Sequence, residues 1–416
     1  MLRTHYYTKE KPQETEHGLK TIKVKVYPTP LQKSILRQWF STTRYIYNKT
    51  LHHINETNCK KNFRELRNKF VTKESTIKKC LGCDKETKSN RKNFICCNDS
   101  KVQDMKFVNP EINEWELKTP KQIRESSVSD LIKAFKTCFS NLKNKNINKF
   151  KMKFRKKRDT QSICINKESI SYFNGYFKVF PTFLGNLKTG RRSKKDYVIS
   201  HETRMTFNGL HYFLHILVPT ETKRKIENND TIALDPGLRT FITGYSPKEV
   251  VEFKRNPDLL KKLRNKIAKL NSLRSKKQLR NKKKIKKLFL RLSNVIDSLH
   301  WKTINYLTSN YSKILLPHFE SQKMTRKGNK ETNKLFSNLK HHQFKLRLLH
   351  SVRMVENCKV ILVTEEFTSK TCGSCGNLNE TLGSKKIFEC KTCGFKVDRD
   401  INGARNIFIK YMRLCS

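Results

Sequence analysis

Two pairs of cysteines carry the most specific chemistry in this chain. Cys372-x2-Cys375 and Cys390-x2-Cys393 form two knuckles, each followed by a glycine (CGSCG and CKTCG) and separated by a 14-residue loop. Four thiolates spaced this way can close a tetrahedron around one Zn²⁺, and the glycines permit the tight turns. Such a closed site has no open position for water, so the ion it implies is structural. A second cluster, Cys80-x2-Cys83 with the adjacent pair Cys96-Cys97, has one good knuckle and a badly spaced second; zinc binding and unpaired thiols are both open readings there. Cys59, Cys138, Cys164, Cys358 and Cys415 read as small core residues or inert surface thiols. Carboxylates are the other reactive group. Asp235 follows the apolar run Ile232-Ala233-Leu234 and precedes Pro236-Gly237, where a plain turn is the simplest account. Asp398 and Asp400 open an apparent helix, where capping would explain them. Glu320, Glu365 and Glu366 each end or follow a β-like run. Hydrolysis of a phosphodiester with two Mg²⁺ requires about three such carboxylates, converging from strand ends and a helix on metals roughly 3.5–4 Å apart.

The chemistry sits in a strongly basic chain. Its 416 residues hold 89 Lys and Arg against 36 Asp and Glu, a formal charge of +53. Self-repulsion of this size destabilises a compact chain and implies a polyanionic partner, without separating DNA from RNA. At 36% hydrophobic and 10% aromatic residues the chain can still bury real cores. No apolar run approaches the roughly 18 residues of a membrane span. The first 20 residues are polar and lack the apolar segment of a secretion signal. An odd count of 13 cysteines without an export signal points to metal ligation in a reducing compartment.

The elements that must position these groups follow from periodicity. KTIKVKVY alternates apolar and basic residues as a half-buried strand, and Thr29-Pro30 supplies a helix cap and first-turn proline. Leu31, Ile35, Leu36, Trp39, Phe40, Ile46 and Leu51 then keep mostly helical spacing. Residues 58–118 are polar, hold the first cysteine cluster and read as an insertion. A second amphipathic helix starts at Pro120, and KFKMKFRKKR (149–158) alternates Phe150, Met152 and Phe154 with basic residues. Short β-rich segments fill 162–219, and the character changes near 230 at TIALDPGLRTFITGY, a strand, turn and strand. Residues 258–311 read as a helical hairpin with 14 Lys/Arg and no acid between Lys261 and Lys287; a single-sign face favours phosphate contact. KILLPHF is a buried-strand candidate, Phe336 to about Val355 a single amphipathic helix, and KVILVTEEF a strand ending in two carboxylates. A last helix starts at Asp398.

The order of these signals resembles the TnpB family of transposon-encoded, RNA-guided nucleases, and more closely its eukaryotic and viral Fanzor branch. ALDPGLRTFITGYSP, ILLPHF…KM, EEFTSKTCGSCG and FECKTCGFKVDRDINGARNI carry the resemblance, with support from KVYPTPLQKSILRQWFSTTRYIYNKTL and KFKMKFRKKR. It spans most of residues 20–412 and is sparse across 58–118. The resemblance implies an α/β RuvC-like (RNase H-like) nuclease domain with an inserted four-cysteine zinc ribbon, preceded by an α+β recognition and wedge region. Residues 1–57 would be the first strand and helix of that region, 58–118 the insertion and 119–230 its remainder. Residues 231–416 would be the nuclease domain, with the hairpin at 258–311 and the ribbon at 368–397. By motif, Asp235 matches the first nuclease aspartate and Asp400 the third, with Asp398 a less favoured substitute. The middle glutamate departs from the bacterial pattern, where counting back from Met324 reaches Pro317, which cannot ligate metal. The Fanzor-like replacement is Glu365, with Glu366 and Glu320 as alternatives. Strand alternation puts Ile361, Val363 and Glu365 on one face.

The implied activity is RNA-guided, Mg²⁺-dependent DNA endonuclease cleavage for a mobile element, with two catalytic Mg²⁺, one structural Zn²⁺, a guide RNA and a double-stranded DNA target as partners. No membrane partner is expected, a monomer is favoured, and the location is intracellular, at the nucleus or a site of DNA replication. The competing reading is a catalytically impaired, nucleic-acid-binding transposition accessory or repressor.

Overall fold

The computed structural model describes residues 19–80, 86–88, 102–190, 197–219, 224–227, 229–275, 282–318, 330–364, 366–380, 383 and 386–415. Glu320, Glu365, Cys83, Cys96 and Cys97 lie outside them. The chain divides into two units, Met1–Pro219 and Thr220–Ser416.

In the first unit, β1 (Leu19–Tyr27) leads into α1 (Pro30–Thr57) through the Thr29 cap. The Thr29 hydroxyl accepts the Gln32 N–H at 3.3 Å while Gln32 Oε1 accepts the Thr29 N–H at 3.0 Å, a reciprocal capping box. The helix divides its apolar face. Leu36, Trp39 and Phe40 pack on the sheet, whereas Ile46, Leu51 and Ile54 join a helical core. That second core is completed by α2 (Phe63–Phe70) and α4 (Lys121–Lys143). Between them lie β2 (Glu74–Cys80), β3 (Glu86–Lys88) and β4 (Val102–Val108), paired in the order β3-β2-β4, and the short α3 (Glu114–Leu117). The polar 58–118 stretch therefore contributes Leu66, Phe70 and Val71 to the core. These few apolar positions are diluted by charge in the sequence, yet Leu66 and Phe70 fall on one face of α2 and Val71 follows at its C-cap.

The sheet is completed by β5 (Gln161–Ile165), β6 (Ile170–Phe173), β7 (Tyr176–Val179), β8 (Gly185–Thr189), β9 (Thr203–Phe207) and β10 (Tyr212–Pro219). Its order is β5-β9-β10-β1-β8-β7-β6, and β1 pairs antiparallel with β10 from Leu19↔Pro219 to Val26↔Tyr212. KFKMKFRKKR forms no strand. Phe150 and Met152 are packed against the helical core, Phe154 is exposed, and Asn48 brackets Arg155, donating to its carbonyl at 3.0 Å and accepting its N–H at 2.8 Å.

The second unit is built on a five-stranded sheet. Its strands are β12 (Thr231–Pro236), β13 (Ile242–Tyr245), β14 (Val250–Phe253), β15 (Lys313–Pro317) and β17 (Lys359–Val363), in the order β14-β13-β12-β15-β17. The β12, β13 and β14 strands are antiparallel neighbours, whereas β12, β15 and β17 run parallel. A small parallel pair, β11 (Arg224–Lys225) with β16 (Val355–Glu356), lies apart from it. Period-two alternation sends Ile232, Leu234, Ile314 and Leu316 into a core shared with α5 (Pro257–Ser275), α6 (Lys282–Asn310), α7 (Lys330–Leu339) and α8 (His341–Val352). Ala233, Leu315, Ile361 and Val363 face the other way, onto Ile407 of the C-terminal helix α9 (Arg399–Cys415). The hairpin β18 (Ile387–Glu389) and β19 (Lys396–Asp398) leads into α9.

One expectation fails here. The segment from Phe336 to Val355 is not a single helix, because Lys340 adopts φ 52° and separates α7 from α8. The Lys340 ammonium donates to Ser293 Oγ at 2.7 Å and lies 3.7 Å from Asp297, while a buried His300 ring nitrogen meets the Leu339 carbonyl at 2.9 Å. Contacts to α6 thus hold a left-handed residue that periodicity does not reveal. Among the described residues no helix is long and apolar enough to cross a membrane.

Candidate functional site

The two knuckles meet as their spacing requires. The sulfurs of Cys372, Cys375, Cys390 and Cys393 all lie within 4.8 Å of one another, with Cys372–Cys393 at 3.7 Å and Cys375–Cys390 at 3.6 Å. A tetrahedral ion with Zn–S bonds of about 2.3 Å separates its sulfurs by about 3.8 Å, close to the Cys372–Cys393 and Cys375–Cys390 separations, so the four thiols are grouped as a zinc site requires. The two turns are built alike. The Gly376 N–H donates to the Cys372 carbonyl and the Gly394 N–H to the Cys390 carbonyl, both at 3.0 Å. Gly376 and Gly394 take φ of 79° and 73°, a region costly for any side chain. The backbone N–H groups of Cys393 and Thr392 pull the Cys390 thiol down to about 6. Cys375 moves the other way: the Asn377 N–H favours its thiolate, but sharing with Cys393, Cys390 and Cys372 pushes it up to about 12. Four sulfurs this close cannot all ionise without a cation among them, which is a property of a metal site.

The proposed nuclease aspartates converge. Asp235 is the penultimate residue of β12, and by alternation it shares the face of Ala233 that α9 covers. Asp400 is in the first turn of α9. Gly403, one turn further, makes the approach possible, since a Cβ there would lie 2.5 Å from Asp235 Oδ2. From the other side, a Cβ on Gly237 would lie 3.6 Å from Asp400 Oδ2 and 2.8 Å from the Thr240 carbonyl. Each carboxylate therefore rests against the element carrying the other. Burial and the neighbouring Asp398 charge raise the Asp400 carboxyl above its ordinary range, against the pull of Arg399 and Arg239. Asp398 is engaged in the capping role, its Oδ1 accepting the Asp400 N–H at 2.9 Å.

The remaining acidic candidates are placed less fully. Pro317 ends β15 and pairs with Val363, the last residue of β17, and the His318 N–H donates to the Val363 carbonyl at 3.0 Å. Extending the Ala233↔Leu315 register by two puts Pro317 beside Asp235. Glu365 follows Val363 by two in sequence, and Glu366 is exposed beside Phe367, which is itself exposed at φ 64°.

Two neutral histidines support the Asp235 turn from the core. Phe241 stacks between His300 and His341, with centroids 5.0 and 5.1 Å away. Burial takes both rings down to about 4; His341 also faces His300 and a Gly237 backbone hydrogen bond, and His300 the Leu339 carbonyl and Arg347. Gly403, the stacked histidines and two asparagines of α9 have no sequence signature beyond the motif that contains them.

Three family models match in chain order: "Helix-turn-helix domain" at residues 18–59, "Probable transposase" of the OrfB IS605 type at 215–328, and "Cas12f1-like, TNB domain" at 341–407. The second contains Asp235 and the basic hairpin, and the third contains all four ribbon cysteines and Asp400. A transposase-named protein of Paramecium bursaria Chlorella virus 1 is 29% identical over 95% of this chain and 87% of its own length. A TnpB-like protein of Acanthamoeba polyphaga mimivirus is 27% identical over 92% of this chain and 72% of its own. The fold is similar to that of Cas12f1 in a complex with sgRNA and target DNA, at a TM-score of 0.53 and 12% identity, covering 94% of this chain and 99% of that one. Ordered matches to these models and near full-length TnpB-like relatives agree with the motifs on the page: the chain is a TnpB-family protein.

Proposed function

We propose that this protein is an RNA-guided DNA endonuclease of a mobile element, with a RuvC-like nuclease unit whose metal-binding carboxylates are Asp235, Glu365 and Asp400. The observation that carries this reading is the contact of β12 with α9, which brings Asp235 and Asp400 together where Gly403 lacks a side chain. The 3-2-1-4-5 strand order of the sheet supports it. So does the face shared by Asp235, Ile361 and Val363, which Glu365 would continue. Divalent ions held by such carboxylates supply an activated water and a counter-charge for the leaving oxygen. The chain's own contribution is to align the carboxylates at the ends of the parallel strands, with α9 closing one side. Zinc is the ion whose preferences the four thiols match, and its role there is to hold the ribbon together.

Guide RNA and duplex DNA are the partners this reading assigns, by likeness to the Cas12f1 complex and by the charge of +53. Exposed lysines of α5 and α6 are suited to phosphate contact, with binding that weakens steeply as salt rises. One observation favours the impaired, non-cleaving alternative: β15 ends in Pro317, two residues past the last β12–β15 pair Ala233↔Leu315, where the bacterial pattern has its glutamate. Purification with co-expressed RNA, followed by assay on duplex DNA with Mg²⁺, separates the two. Cleavage by the parent and none by Asp235→Ala is expected; a parent silent on every target tried would favour the alternative. Glu320→Gln, Glu365→Gln and Glu366→Gln, assayed singly, identify the third carboxylate, with Glu365→Gln expected to abolish cutting.

A further inference from the structure

Two asparagines of α9 join the ribbon to the helix that carries Asp400. Asn402 is fully buried; its Oδ1 accepts the Gly373 N–H at 3.0 Å and its Nδ2 donates to the Thr371 carbonyl at 2.7 Å. It thereby grips the backbone on both sides of Cys372. One turn later, Asn406 Nδ2 donates to the Thr368 carbonyl at 2.8 Å and again to that of Thr371 at 2.7 Å. The fit leaves no slack, because a Cβ on Gly373 would meet Asn402 Oδ1 at 3.0 Å, Arg405 Cδ at 3.2 Å and Asn406 Oδ1 at 3.3 Å. Asparagine is a poor helix-interior residue, so two on one face of one turn weaken α9 unless their amides are used, as they are here.

We propose that Asn402 and Asn406 are positioning residues that couple metal occupancy of the four-cysteine ribbon to the alignment of Asp400. Cys372 contributes a sulfur to the thiol cluster while its flanking peptides are fixed to α9, two residues beyond Asp400. Metal in the ribbon thus stiffens the first knuckle, and the clamp transmits that stiffness to the start of the helix. The coupling rests on the nuclease reading; the clamp on the ribbon does not.

The test compares the RNA-bound full chain with Asn402→Ala, Asn406→Ala and, from the ribbon side, Gly373→Ala. Alanine is the better helix former, so a loss in the asparagine variants is not a weakened helix. Zinc transfer to a chromophoric chelator is expected to be about 10-fold faster in Asn402→Ala, the scale seen when partners that orient a metal ligand are removed. The Mg²⁺ concentration for half-maximal cleavage is expected to rise by about 10-fold, with most of the rate recovered at saturating Mg²⁺ and RNA binding unchanged, as for a displaced rather than a missing ligand. Zinc transfer at the parental rate in all three variants would overturn the clamp. Faster transfer with parental Mg²⁺ dependence would overturn the coupling. A parent that cuts nothing at any Mg²⁺ would sink the nuclease reading and the coupling with it, and the chelator measurement would still decide the clamp.

Discussion

Two half-buried carboxylates, one in each unit, are treated in opposite ways. Asp130 on α4 is held by both Arg204 and Arg155, its oxygens 2.8 and 3.1 Å from their guanidinium nitrogens. Burial works against its charge, but the two guanidiniums outweigh it and hold the carboxyl below its ordinary range. Asp400 is also removed from water, yet its strongest charged neighbour is another aspartate, so its carboxyl is raised. An anion given internal counter-ions is part of the scaffold. One whose largest charged influence is a second carboxylate, only partly offset by Arg399 and Arg239, has the electrostatics that the proposed metal-binding role calls for.

The largest effect expected from this contrast is on cleavage. Asp400→Asn should lower the rate by about 10³-fold or more, the several kcal/mol a lost metal contact represents. Its stability without divalent metal should hold or rise, because a carboxyl with a raised folded value costs stability at neutral pH. Rate and urea midpoint measured together check both halves. Gly403→Ala should cost about 10²-fold in rate, the scale of a misplacement near 1 Å, because the added methyl displaces Asp235 Oδ2. Its melting temperature should change little, since the group pushed aside is the end of a side chain and alanine favours the helix. Parental cutting by Gly403→Ala would remove the close approach of α9 from the account.

The scaffold side of the comparison predicts smaller, thermodynamic changes. Asp130→Asn should destabilise the first unit by about 2 kcal/mol, moderated by the partial exposure of both arginines, with cleavage retained wherever the chain stays folded. Because the Asp130 carboxyl is depressed in the fold, its contribution is present at neutral pH and disappears as pH falls through that lowered value. His300 and His341 add a second acid sensitivity. Their folded values of about 4 lie below the 6.5 of a free histidine, so the unfolded chain binds protons the fold refuses. Their stabilising effect is full above pH 6.5 and falls toward pH 4, by about 1.4 kcal/mol per histidine per pH unit. Urea midpoints at pH 6.5 and 5.5 measure this, and a midpoint unchanged across that interval would contradict it. His341→Phe should flatten the slope by about half.

These contrasts were legible in the sequence to different degrees. The ribbon was readable because four cysteines with fixed spacing have few other uses, and the thiols meet as that spacing requires. Asp235 and Asp400 were recognisable by motif, but their proximity was not, because it depends on a glycine whose role is to offer no side chain. Asn402 and Asn406 were legible only as members of that motif; their grip on the ribbon backbone depends on tertiary contacts the sequence does not show. Lys340 left none: its left-handed backbone is stabilised by Ser293 and Asp297 of a distant helix, so local periodicity ran through it. The core residues of α2 were masked by lysine and asparagine around them, since mean polarity does not register two apolar side chains on one face.

The most direct test of the central claim, that Asp400 is a metal ligand and Asp130 is not, is a change of metal preference. Asp400→Cys puts a softer ligand at a helix N-terminus, where the thiolate is favoured. Cleavage of duplex DNA by the RNA-bound protein is then measured in Mg²⁺ and in Mn²⁺. The account predicts that Asp400→Cys is inactive in Mg²⁺ and regains cutting in Mn²⁺, whereas folded Asp130→Cys shows the parental preference. Parental cutting by Asp400→Cys in Mg²⁺ would contradict it.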